Sequence, residues 1–399
     1  MSGVKRRRIC VFTGTRAEYG ILRPLLKALA DQPSFELQVL VSGAHLDPRF
    51  GETWRAIAAD GYDISAKVDM QLTGDSPVAI GRSMGLGTIG FADALGRLAP
   101  DLAVVVGDRY EVLAFVQAAL VARVPVAHIH GGEVTEGAID ESIRHAVTKL
   151  SHLHFAAAAD YRRRIIQLGE APERVFAVGA LGLDALGRER LLEPAELEAE
   201  LGLALSPGLL LVTYHPATLG VLAPGAAAVA LFAALDRFPE LTVLVTGTNA
   251  DTHGSEVVAA TTAFLARNPA RARGIASLGS LRYLSAMRHC LAVVGNSSSG
   301  IIEAPALGRP TVNVGTRQRG RLRAPSVIDC AEDEAAIVGA IRVAASPGAQ
   351  RQAAEKISPY GHGGVAEKIV AVLLATDFPA LTVKPFHDLP TASAPPRSE

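Results

Sequence analysis

The chain is 399 residues long, 49% hydrophobic and 20% charged, with a formal net charge of -1 at pH 7. This length and composition are typical of two or three domains with a large core. The near-neutral charge and an aromatic content of 5% argue against nucleic-acid or anionic-membrane partners. No apolar run approaches the roughly 20 residues of a membrane span, and no secretory hydrophobic region follows the N-terminus. Cys10, Cys290 and Cys330 stand far apart in apolar contexts, so we expect reduced thiols and a cytoplasmic protein.

Short apolar runs alternate with amphipathic helical patterns, which predicts βαβ units and parallel sheets. The predicted strands of the first half are Ile9–Thr13, Leu37–Val41, Leu102–Val106, Val124–Ile129, Leu153–Ala157 and Val175–Val178. The helical patterns between them are Ile21–Ala30, Ile80–Leu98, Val112–Ala122, Ser142–Lys149 and Tyr161–Leu168. Strands of continuous apolar character, such as L-A-V-V-V, indicate that helices cover both faces of the sheet.

A charged, Leu- and Glu-rich stretch from Gly182 to Pro207 interrupts this alternation, and we interpret it as an interdomain connection with a surface helix. The pattern restarts with predicted strands at Leu209–Thr213, Leu241–Val245, Leu291–Val294 and Thr311–Val314. The helical patterns are Ala226–Phe238, Ser255–Arg267, Tyr283–Arg288, Ile301–Leu307 and Ala366–Leu374. We therefore predict an α/β protein of two Rossmann-like doubly wound domains, residues 1–181 and 182–364, with a disordered tail over 384–399.

Ligands of doubly wound domains bind at the carboxyl ends of the strands, so the loops that follow strands are the expected sites of chemistry. The first loop, G-T-R-A-E-Y-G, has helix N-terminal amides that can hold a phosphate, with Arg16 as the charged partner. An ordinary strand-to-helix turn is the alternative. His45 follows the second strand, where a lone histidine is more often structural than catalytic.

Two further loops of the first half carry acid–arginine pairs. G-D-R-Y-E places Asp108 and Arg109 at a strand tip, where the aspartate can act as an acid or base, or cap the next helix. Asp140 and Arg144 lie at helical spacing and can share one helix face. Acidic residues also favour a helix start, so capping is the alternative for Asp140.

The motif H-I-H-G-G-E ends the fourth predicted strand. Alternation along a strand predicts that His128 and His130 point the same way, and Glu133 follows as a candidate proton acceptor. A strand-to-loop turn whose histidines bond to backbone is the plain alternative. A zinc site from these three residues and His145 is conceivable, but the spacing matches no known metal motif.

The loops of the second domain favour a nucleoside diphosphate. His215 ends the first strand, and Asn249 follows the second, where it either bonds a ligand hydroxyl or shapes the turn. The loop G-N-S-S-S-G-I-I-E-A-P precedes a helix and forms an anion-binding concavity. Glu303, one helical turn in, could bond ribose hydroxyls, and Arg317 could reach a phosphate.

Together these motifs resemble the hydrolysing UDP-N-acetylglucosamine 2-epimerases, in the branch that serves sialic, legionaminic and related nonulosonic acids. The resemblance runs from about Ile9 to Leu374 through G-T-R-A-E-Y-G, G-D-R-Y-E, H-I-H-G-G-E-V-T-E-G-A-I-D-E-S-I-R-H, Y-H-P-A-T, G-N-S-S-S-G-I-I-E-A-P and G-T-R-Q-R-G-R. It implies two Rossmann-like domains facing a cleft, the GT-B architecture, with a C-terminal helix at 365–380 packing back on the first domain. It also implies a homo-oligomer, since dimers and tetramers are common in the family.

The resemblance implies conversion of UDP-N-acetylglucosamine and water to N-acetylmannosamine and UDP. The C2 proton is removed, UDP departs from C1, and water adds across the resulting glycal. The reaction needs no redox cofactor, and the hydrolysing members need no tightly held metal.

Carried over by motif, the resemblance assigns roles to individual residues. Asp108 and Asp140 match catalytic carboxylates, with Arg109 and Arg144 beside them, and His215 would support the departing diphosphate. The further candidates are His130 and Glu133 for proton transfer, Arg16, Ser297 and Ser298 for phosphate, His45 for sugar or phosphate, Glu303 for ribose and Arg317 for the nucleotide.

The chain departs from the better-known sialic-acid members at His130, where they have a glutamate. An imidazole still transfers protons at neutral pH, so the difference bears on the substrate. It favours a modified sugar, such as UDP- or GDP-linked 2,4-diacetamido-2,4,6-trideoxyglucose. The first loop lacks the lysine of non-hydrolysing relatives, which disfavours simple reversible epimerisation. A GT-B glycosyltransferase and a non-catalytic nucleotide-sugar-binding protein are the alternatives, although no acceptor motif is present and both aspartates are retained.

Overall fold

The computed structural model describes residues 6–71, 76–135, 139–188, 190–215, 223–247, 254–275 and 278–390. Its contacts divide the chain into two compact units. Unit 1 comprises Met1–Glu133, Ile139–Leu181 and Val365–Glu399, and unit 2 comprises Val134–Ala138 and Gly182–Gly364.

Strands and helices alternate through both units. The first part of unit 1 contains β1 (Arg7–Thr13), α1 (Arg16–Ala30), β2 (Phe35–Ser42), α2 (Trp54–Ala59), β3 (Ile64–Val68), α3 (Pro77–Leu98), β4 (Leu102–Val106), α4 (Tyr110–Val121), β5 (Val126–Ile129), α5 (Ile139–Leu150), β6 (Leu153–Ala156), α6 (Ala159–Gln167) and β7 (Val175–Ala177). Unit 2 contains α7 (Ala185–Arg188), α8 (Pro194–Leu201), β8 (Leu209–Thr213), α9 (Pro224–Asp236), β9 (Thr242–Thr246), α10 (Gly254–Arg267), β10 (Ala272–Ile275), α11 (Gly279–His289), β11 (Ala292–Gly295), α12 (Ser298–Ala306), β12 (Thr311–Val314), β13 (Val327–Cys330), α13 (Glu334–Ala345) and α14 (Pro347–Ala354). The chain then returns to unit 1 with α15 (Val365–Ala375) and α16 (Phe378–Leu381).

Each unit is built on one parallel sheet. The described strands of unit 1 are ordered β3-β2-β1-β4-β5-β6-β7, and those of unit 2 are ordered β10-β9-β8-β11-β12-β13. In both sheets the strand order reverses beside the first strand, between β1 and β4 and between β8 and β11. Such a switch point is where doubly wound sheets bind ligands. The predicted fold class, two doubly wound α/β domains, is confirmed.

Helices cover both faces of the unit 1 sheet, as the continuous apolar strands indicate. Every residue of β4 is buried, and Phe12 of β1 stacks on Phe115 of α4 with ring centroids 4.7 Å apart. Helices α1 and α15 pack on the opposite face, where Leu22 and Ile369 are 0% exposed. The backbone at the strand tips is therefore fixed by a core on both sides.

Three strands differ from the sequence-based expectation, which did not include β3, β10 or β13. All three lie at sheet edges. They are only partly buried, and polar residues interrupt each of them. An edge strand covered on one face lacks the continuous apolar run by which the central strands were predicted.

The C-terminal segment is ordered further than the sequence predicts. We expect a disordered tail from Lys384, but the structure describes the chain to Pro390, and Lys384 donates hydrogen bonds to backbone carbonyls of unit 1. Residues 391–399 lie outside the described residues. Within the described ranges, no helix combines the length and the apolar character needed to cross a membrane.

Gly295 at the end of β11 provides a test of the unit 2 switch point. Its φ is +135°, and a Cβ there would overlap the carbonyl oxygen of Thr213 on β8. We expect Gly295→Ala to destabilise unit 2 by about 2–4 kcal/mol, measured by urea unfolding. Gly339→Ala is the matched control, because Gly339 lies in α13 with open space around it. That variant should be about 0.5–1 kcal/mol more stable than wild type. Equal stability of Gly295→Ala and wild type would contradict the strained geometry.

Candidate active site

The first strand-end loop of unit 1 folds around a carboxylate of its own. Thr15 caps α1 by accepting from the Glu18 amide, and Glu18 Oε2 accepts from the amides of Gly14 and Thr15 at 2.6 and 3.0 Å. This is a capping box extended by one further amide. Two backbone amides of this loop, those of Gly14 and Thr15, are thus used within it. The expected phosphate contact rests instead on Arg16, which is exposed.

A second buried carboxylate, Glu111, lies against the same loop. Glu111 is 0% exposed and accepts from Arg109 Nε at 3.2 Å and from Arg109 Nη2 at 3.4 Å. Burial raises the pKa of Glu18 to about 7, the charge of Glu111 adds to this rise, and Arg109 opposes it. Arg109, which directly follows Asp108, is thereby held by buried acids. The sequence patterns single out neither glutamate.

Arg144 joins the polar groups at the end of β4 to the start of α5. Its side chain is 1% exposed. Its Nε donates to Asp108 Oδ2 at 2.9 Å, and Nη2 reaches the same oxygen. Its Nη1 donates to the carbonyl of Glu133 and to Glu141 Oε2, both at 2.8 Å. An arginine does not deprotonate in proteins, so burial of its guanidinium requires such acceptors. Two predicted site residues, Asp108 and Arg144, are in direct contact.

Asp140 lies one helical turn before Arg144 on α5. Its side chain is half-buried, and burial raises its pKa. The charge of Asp108 raises this pKa further, and Arg109 and Arg144 oppose the rise. Asp140 is therefore shifted towards its protonated form beside an aspartate that is ion-paired. Two carboxyl groups in different environments, here one ion-paired and one with a raised pKa, are the usual arrangement for combined acid and base chemistry.

His130 is held at both ring nitrogens. It has a φ of +66°, which turns the chain out of the β5 direction. Nδ1 lies 2.7 Å from Glu133 Oε1, and Nε2 lies 3.3 Å from the backbone nitrogen of Leu181. The Leu181 amide can only donate, so Nε2 accepts and the proton is on Nδ1, pointing at Glu133. His130 and Glu133 thus form one hydrogen-bonded pair.

The other two predicted imidazoles of unit 1 are bonded internally. His128 is 0% exposed, with Nε2 2.8 Å from the Gly107 carbonyl and Nδ1 3.2 Å from Thr148 Oγ1. Burial lowers its pKa to about 3. Its hydrogen-bond partners differ from those of His130. Because His128 is engaged in this way, the conceivable metal donors do not converge. Among the described residues, no group of three or more His, Cys, Asp or Glu is placed to hold a metal.

His45 likewise has the geometry of a structural histidine. It is 0% exposed and lies 3.0 Å from Thr13 Oγ1 through Nε2 and 2.7 Å from Thr53 Oγ1 through Nδ1. Burial lowers its pKa to about 4, so the ring is neutral. These contacts favour the structural alternative over direct contact with sugar or phosphate.

In unit 2, Asn296 connects the three strand-end loops around the switch point. The His215 amide donates to Asn296 Oδ1 and Asn296 Nδ2 donates to the His215 carbonyl, both at 2.8 Å. The Asn296 carbonyl accepts from Arg317 Nη1 at 3.0 Å and from Gln318 Nε2 at 2.8 Å. Burial, and secondarily the charge of Arg317, lowers the pKa of His215 to about 4. The predicted residues His215 and Arg317 are thus fixed through one buried amide.

The serine loop forms the N-terminus of α12. Ser297 is the N-cap, its hydroxyl lies 3.4 Å from the Ser299 amide, and Ser298 is the first helical residue. The helix dipole and the amides of this first turn favour an anion. Glu303 lies further along α12 and close to Gly182. A Cβ atom added to Gly182 would be 3.1 Å from Glu303 Oε1. Asn249 lies outside the described residues.

The family profile described as UDP-N-acetylglucosamine 2-epimerase matches residues 27–374 of the chain. The chain belongs to the UDP-N-acetylglucosamine 2-epimerase family. This confirms the resemblance drawn from the strand-end motifs and the predicted enzyme class.

Several 2-epimerase relatives are similar over most of the chain. The chain is 38% identical over 326 residues to the GDP/UDP-N,N'-diacetylbacillosamine 2-epimerase (hydrolyzing) of Campylobacter jejuni, covering 82% of this chain and 85% of the relative. It is 37% identical over 338 residues to the polysialic acid biosynthesis protein P7 of Escherichia coli, covering 84% and 86%. It is 32% identical over 367 residues to the UDP-N,N'-diacetylbacillosamine 2-epimerase (hydrolyzing) of Legionella pneumophila, covering 92% and 95%.

Solved 2-epimerase structures share the fold. The UDP-GlcNAc 2-epimerase of Neisseria meningitidis bound to UDP-GlcNAc superposes with a TM-score of 0.80 at 19% identity, covering 93% of this chain and 100% of that chain. The Methanocaldococcus jannaschii enzyme in complex with UDP-GlcNAc and UDP gives a TM-score of 0.73 at 16% identity, covering 92% and 100%.

The residues of this 2-epimerase that sequence reasoning missed are supporting groups. Glu111, Glu141, Asn296 and Gln318 hold predicted site residues in place. All four fall inside or beside motifs already quoted, so their position within a motif was the only sign in the sequence that they belong to the site. Their partners could not be read from it, because the contacts join loops that are distant in sequence.

The raised pKa of Asp140 gives a prediction about stability. A carboxyl group whose pKa is higher in the folded than in the unfolded state stabilises the fold while protonated, and this contribution is lost as pH rises through the folded pKa. We therefore expect Asp140→Asn to be more stable than wild type at pH 7, with the difference shrinking towards pH 4. Urea unfolding across this range measures it. Asp93→Asn, at an exposed position of α3, is the control. A constant difference between Asp140→Asn and wild type would rule out the buried-acid assignment.

Proposed function

We propose that the chain is a hydrolysing 2-epimerase of a nucleotide-linked 2-acetamido sugar. The observation that carries the proposal is the pairing in unit 1 of Asp108, bound to Arg144, with Asp140, whose pKa is raised. The reaction needs a base at C2 and an acid for the later protonation, and this pair offers one group of each kind. Family membership supports the same chemistry.

The proposed reaction consumes one water and releases one nucleoside diphosphate. A base removes the C2 proton, the C1–O bond breaks with its electron pair on the diphosphate, and a C1=C2 double bond forms. Water then adds its oxygen at C1 while a proton is delivered to the opposite face of C2. The products are the free 2-epimeric sugar and the nucleoside diphosphate.

Within unit 1, the hydrogen-bond geometry suggests how protons are handled. Asp108 is ion-paired with Arg144, which suits a base, and burial raises the pKa of Asp140, which suits an acid. His130 can exchange a proton with Glu133 through Nδ1, so this pair suits a relay to or from the sugar. We assign Arg109 and Arg16 to the diphosphate or sugar, because both guanidinium groups are exposed at strand-end loops.

The unit 2 residues suit a nucleoside diphosphate. Ser297 and Ser298 open α12, whose N-terminal amides favour the negative charge of the diphosphate. Arg317 and His215 are fixed beside this turn by Asn296, and we assign them to the leaving diphosphate. Glu303 is assigned to the ribose hydroxyls.

Two substrates deserve comparison. The related proteins from Campylobacter jejuni and Legionella pneumophila are named as 2-epimerases of nucleotide-linked N,N'-diacetylbacillosamine. This sugar is a 2,4-diacetamido-2,4,6-trideoxy sugar. His130, in place of a glutamate, favours the same modified sugar. We therefore rank this nucleotide sugar at least level with UDP-N-acetylglucosamine, the first expectation from the sequence. The product of either would serve nonulosonic acid synthesis of the legionaminic or sialic type.

The reaction is tested by incubating the protein with three substrates in D2O: UDP- and GDP-N,N'-diacetylbacillosamine and UDP-N-acetylglucosamine. Phosphorus and proton NMR should show nucleoside diphosphate and a free 2-epimeric sugar carrying deuterium at C2. Free sugar formed without an acceptor excludes a glycosyltransferase. If none of the three substrates yields nucleoside diphosphate or deuterated sugar, the proposal fails.

The acid and base assignments are tested by Asp108→Asn and Asp140→Asn. Each variant should lower turnover by about 10²–10⁴-fold, because each removes a proton-transfer group. UDP affinity, measured by calorimetry, should stay within about twofold of wild type, since neither aspartate is among the proposed nucleotide contacts. Asp93→Asn should match wild type in both measurements. Wild-type turnover in both catalytic variants would refute the roles.

His130→Glu tests the link to the substrate. The variant restores the residue found in sialic-acid members, and we expect its kcat/KM ratio to shift towards UDP-N-acetylglucosamine relative to the diacetamido sugar. His130→Gln keeps a donor and an acceptor without titrating, so it separates proton transfer from hydrogen bonding. It should lose turnover on both substrates while keeping their ratio. An unchanged substrate ratio in His130→Glu would remove His130 from the specificity determinants.

A further inference from the structure

The chain continues beyond residue 374, where the match to the family profile ends, and this extension packs on unit 1. Phe378 and Leu381 of α16 are 1% and 5% exposed and belong to the unit 1 core. Arg174 donates to the carbonyls of Leu381 and Val383 at 3.4 and 3.0 Å. The extension is therefore attached by both apolar and polar contacts.

Lys384 inserts its ammonium group among oxygen atoms at the C-terminal end of α5. Its side chain is 17% exposed, and Nζ lies 2.7 Å from Glu170 Oε2. Nζ donates to the Lys149 carbonyl at 2.6 Å and to the Ser151 carbonyl, and lies 3.5 Å from the Thr148 carbonyl. The last carbonyls of a helix have no partner within it, so a cation here satisfies them and complements the helix dipole.

The carboxylate that binds Lys384, that of Glu170, is itself fixed to the sheet. Glu170 is 1% exposed, and its Oε1 accepts from Lys149 Nζ at 2.6 Å. Its Oε2 lies 2.9 Å from His154 Nε2 on β6, and His154 is paired in register with His128 of β5. Lys384 therefore ties the end of α5 to the strands beside it.

The opposite end of α5 carries the proposed chemistry. Asp140 and Arg144 lie in its first half, whereas Thr148 and Lys149 lie in its last turn. A 12-residue helix is about 18 Å long and moves as a stiff rod. A tilt allowed at the C-terminal end would displace the acid and the guanidinium, and a displacement of about 1 Å can cost 10²-fold in rate.

We propose that Lys384 is a positioning residue for the 2-epimerase reaction: it holds the C-terminal end of α5 so that Asp140 and Arg144 keep their geometry. Lys384 touches no reacting atom. The inference rests on the proposed function.

The test compares Lys384→Met, Lys384→Arg and Lys368→Met. Lys368 is the matched control, because it lies on α15 and donates to the Val178 carbonyl at 3.2 Å without contacting α5. Burial lowers the pKa of Lys384 to about 8, so assays are run at pH 7, where its ammonium is charged. We expect Lys384→Met to lower kcat about tenfold or more with KM nearly unchanged. Lys384→Arg should recover much of the loss, and Lys368→Met should leave kcat unchanged.

Amide hydrogen exchange of peptides covering 139–150 supplies a readout independent of turnover. Lys384→Met should speed exchange in α5 and leave the rest of unit 1 protected as in wild type. Unchanged kcat in Lys384→Met, unchanged exchange in α5, or faster exchange spread over all of unit 1 would each overturn the positioning role. If wild type turns over no nucleotide sugar, the proposed function fails, while the exchange measurement still decides whether Lys384 holds the helix.

Discussion

The buried guanidinium of Arg144 is the constraint on which the arrangement of unit 1 depends. It cannot lose its proton, so the fold must place acceptors around it, and it finds them in Asp108, Glu141 and the Glu133 carbonyl. These acceptors come from the end of β4, from α5 and from the loop after β5. One cation therefore sets the mutual positions of three segments. Next to this cluster, burial raises the pKa of Asp140, and the negative charge of Asp108 adds to the rise.

The two units have the same strand order around their switch points but place differently charged side chains there. At the β1/β4 switch point, unit 1 places charged side chains, with Asp108, Arg109 and Glu111 in one short stretch. At the β8/β11 switch point, unit 2 places a neutral amide and hydroxyls, with Asn296 and Ser297 opening α12. Charged groups of mixed sign suit proton transfer, whereas helix amides and hydroxyls suit a diphosphate. The strand order thus fixes where a ligand can bind, and the loop residues decide what each place can do.

The sequence predicted the central strands and the strand-end loops of the candidate site because both leave local signals. A strand buried on two faces is a continuous apolar run, and a polar residue directly after it stands out, as Asp108 does. Contacts between distant loops leave no such signal. His45 and His128 look like site residues in one dimension, yet threonine hydroxyls and a backbone carbonyl satisfy both rings in the buried interior. Glu18 and Lys384 are the opposite case, because neither looks like a structural residue in the sequence. Glu18 caps a helix from within an ordinary turn, and Lys384 binds the end of α5 from within a polar tail.

His130 illustrates how one substitution redistributes charge in such a site. A glutamate at this position would add a carboxylate to a region that already holds Asp108, Glu133, Asp140 and Glu141, with Arg144 as their buried counterion. The imidazole instead donates from Nδ1 to Glu133 and accepts the hydrogen bond of the Leu181 amide at Nε2. The substitution therefore replaces a carboxylate by a ring that donates one hydrogen bond and accepts another.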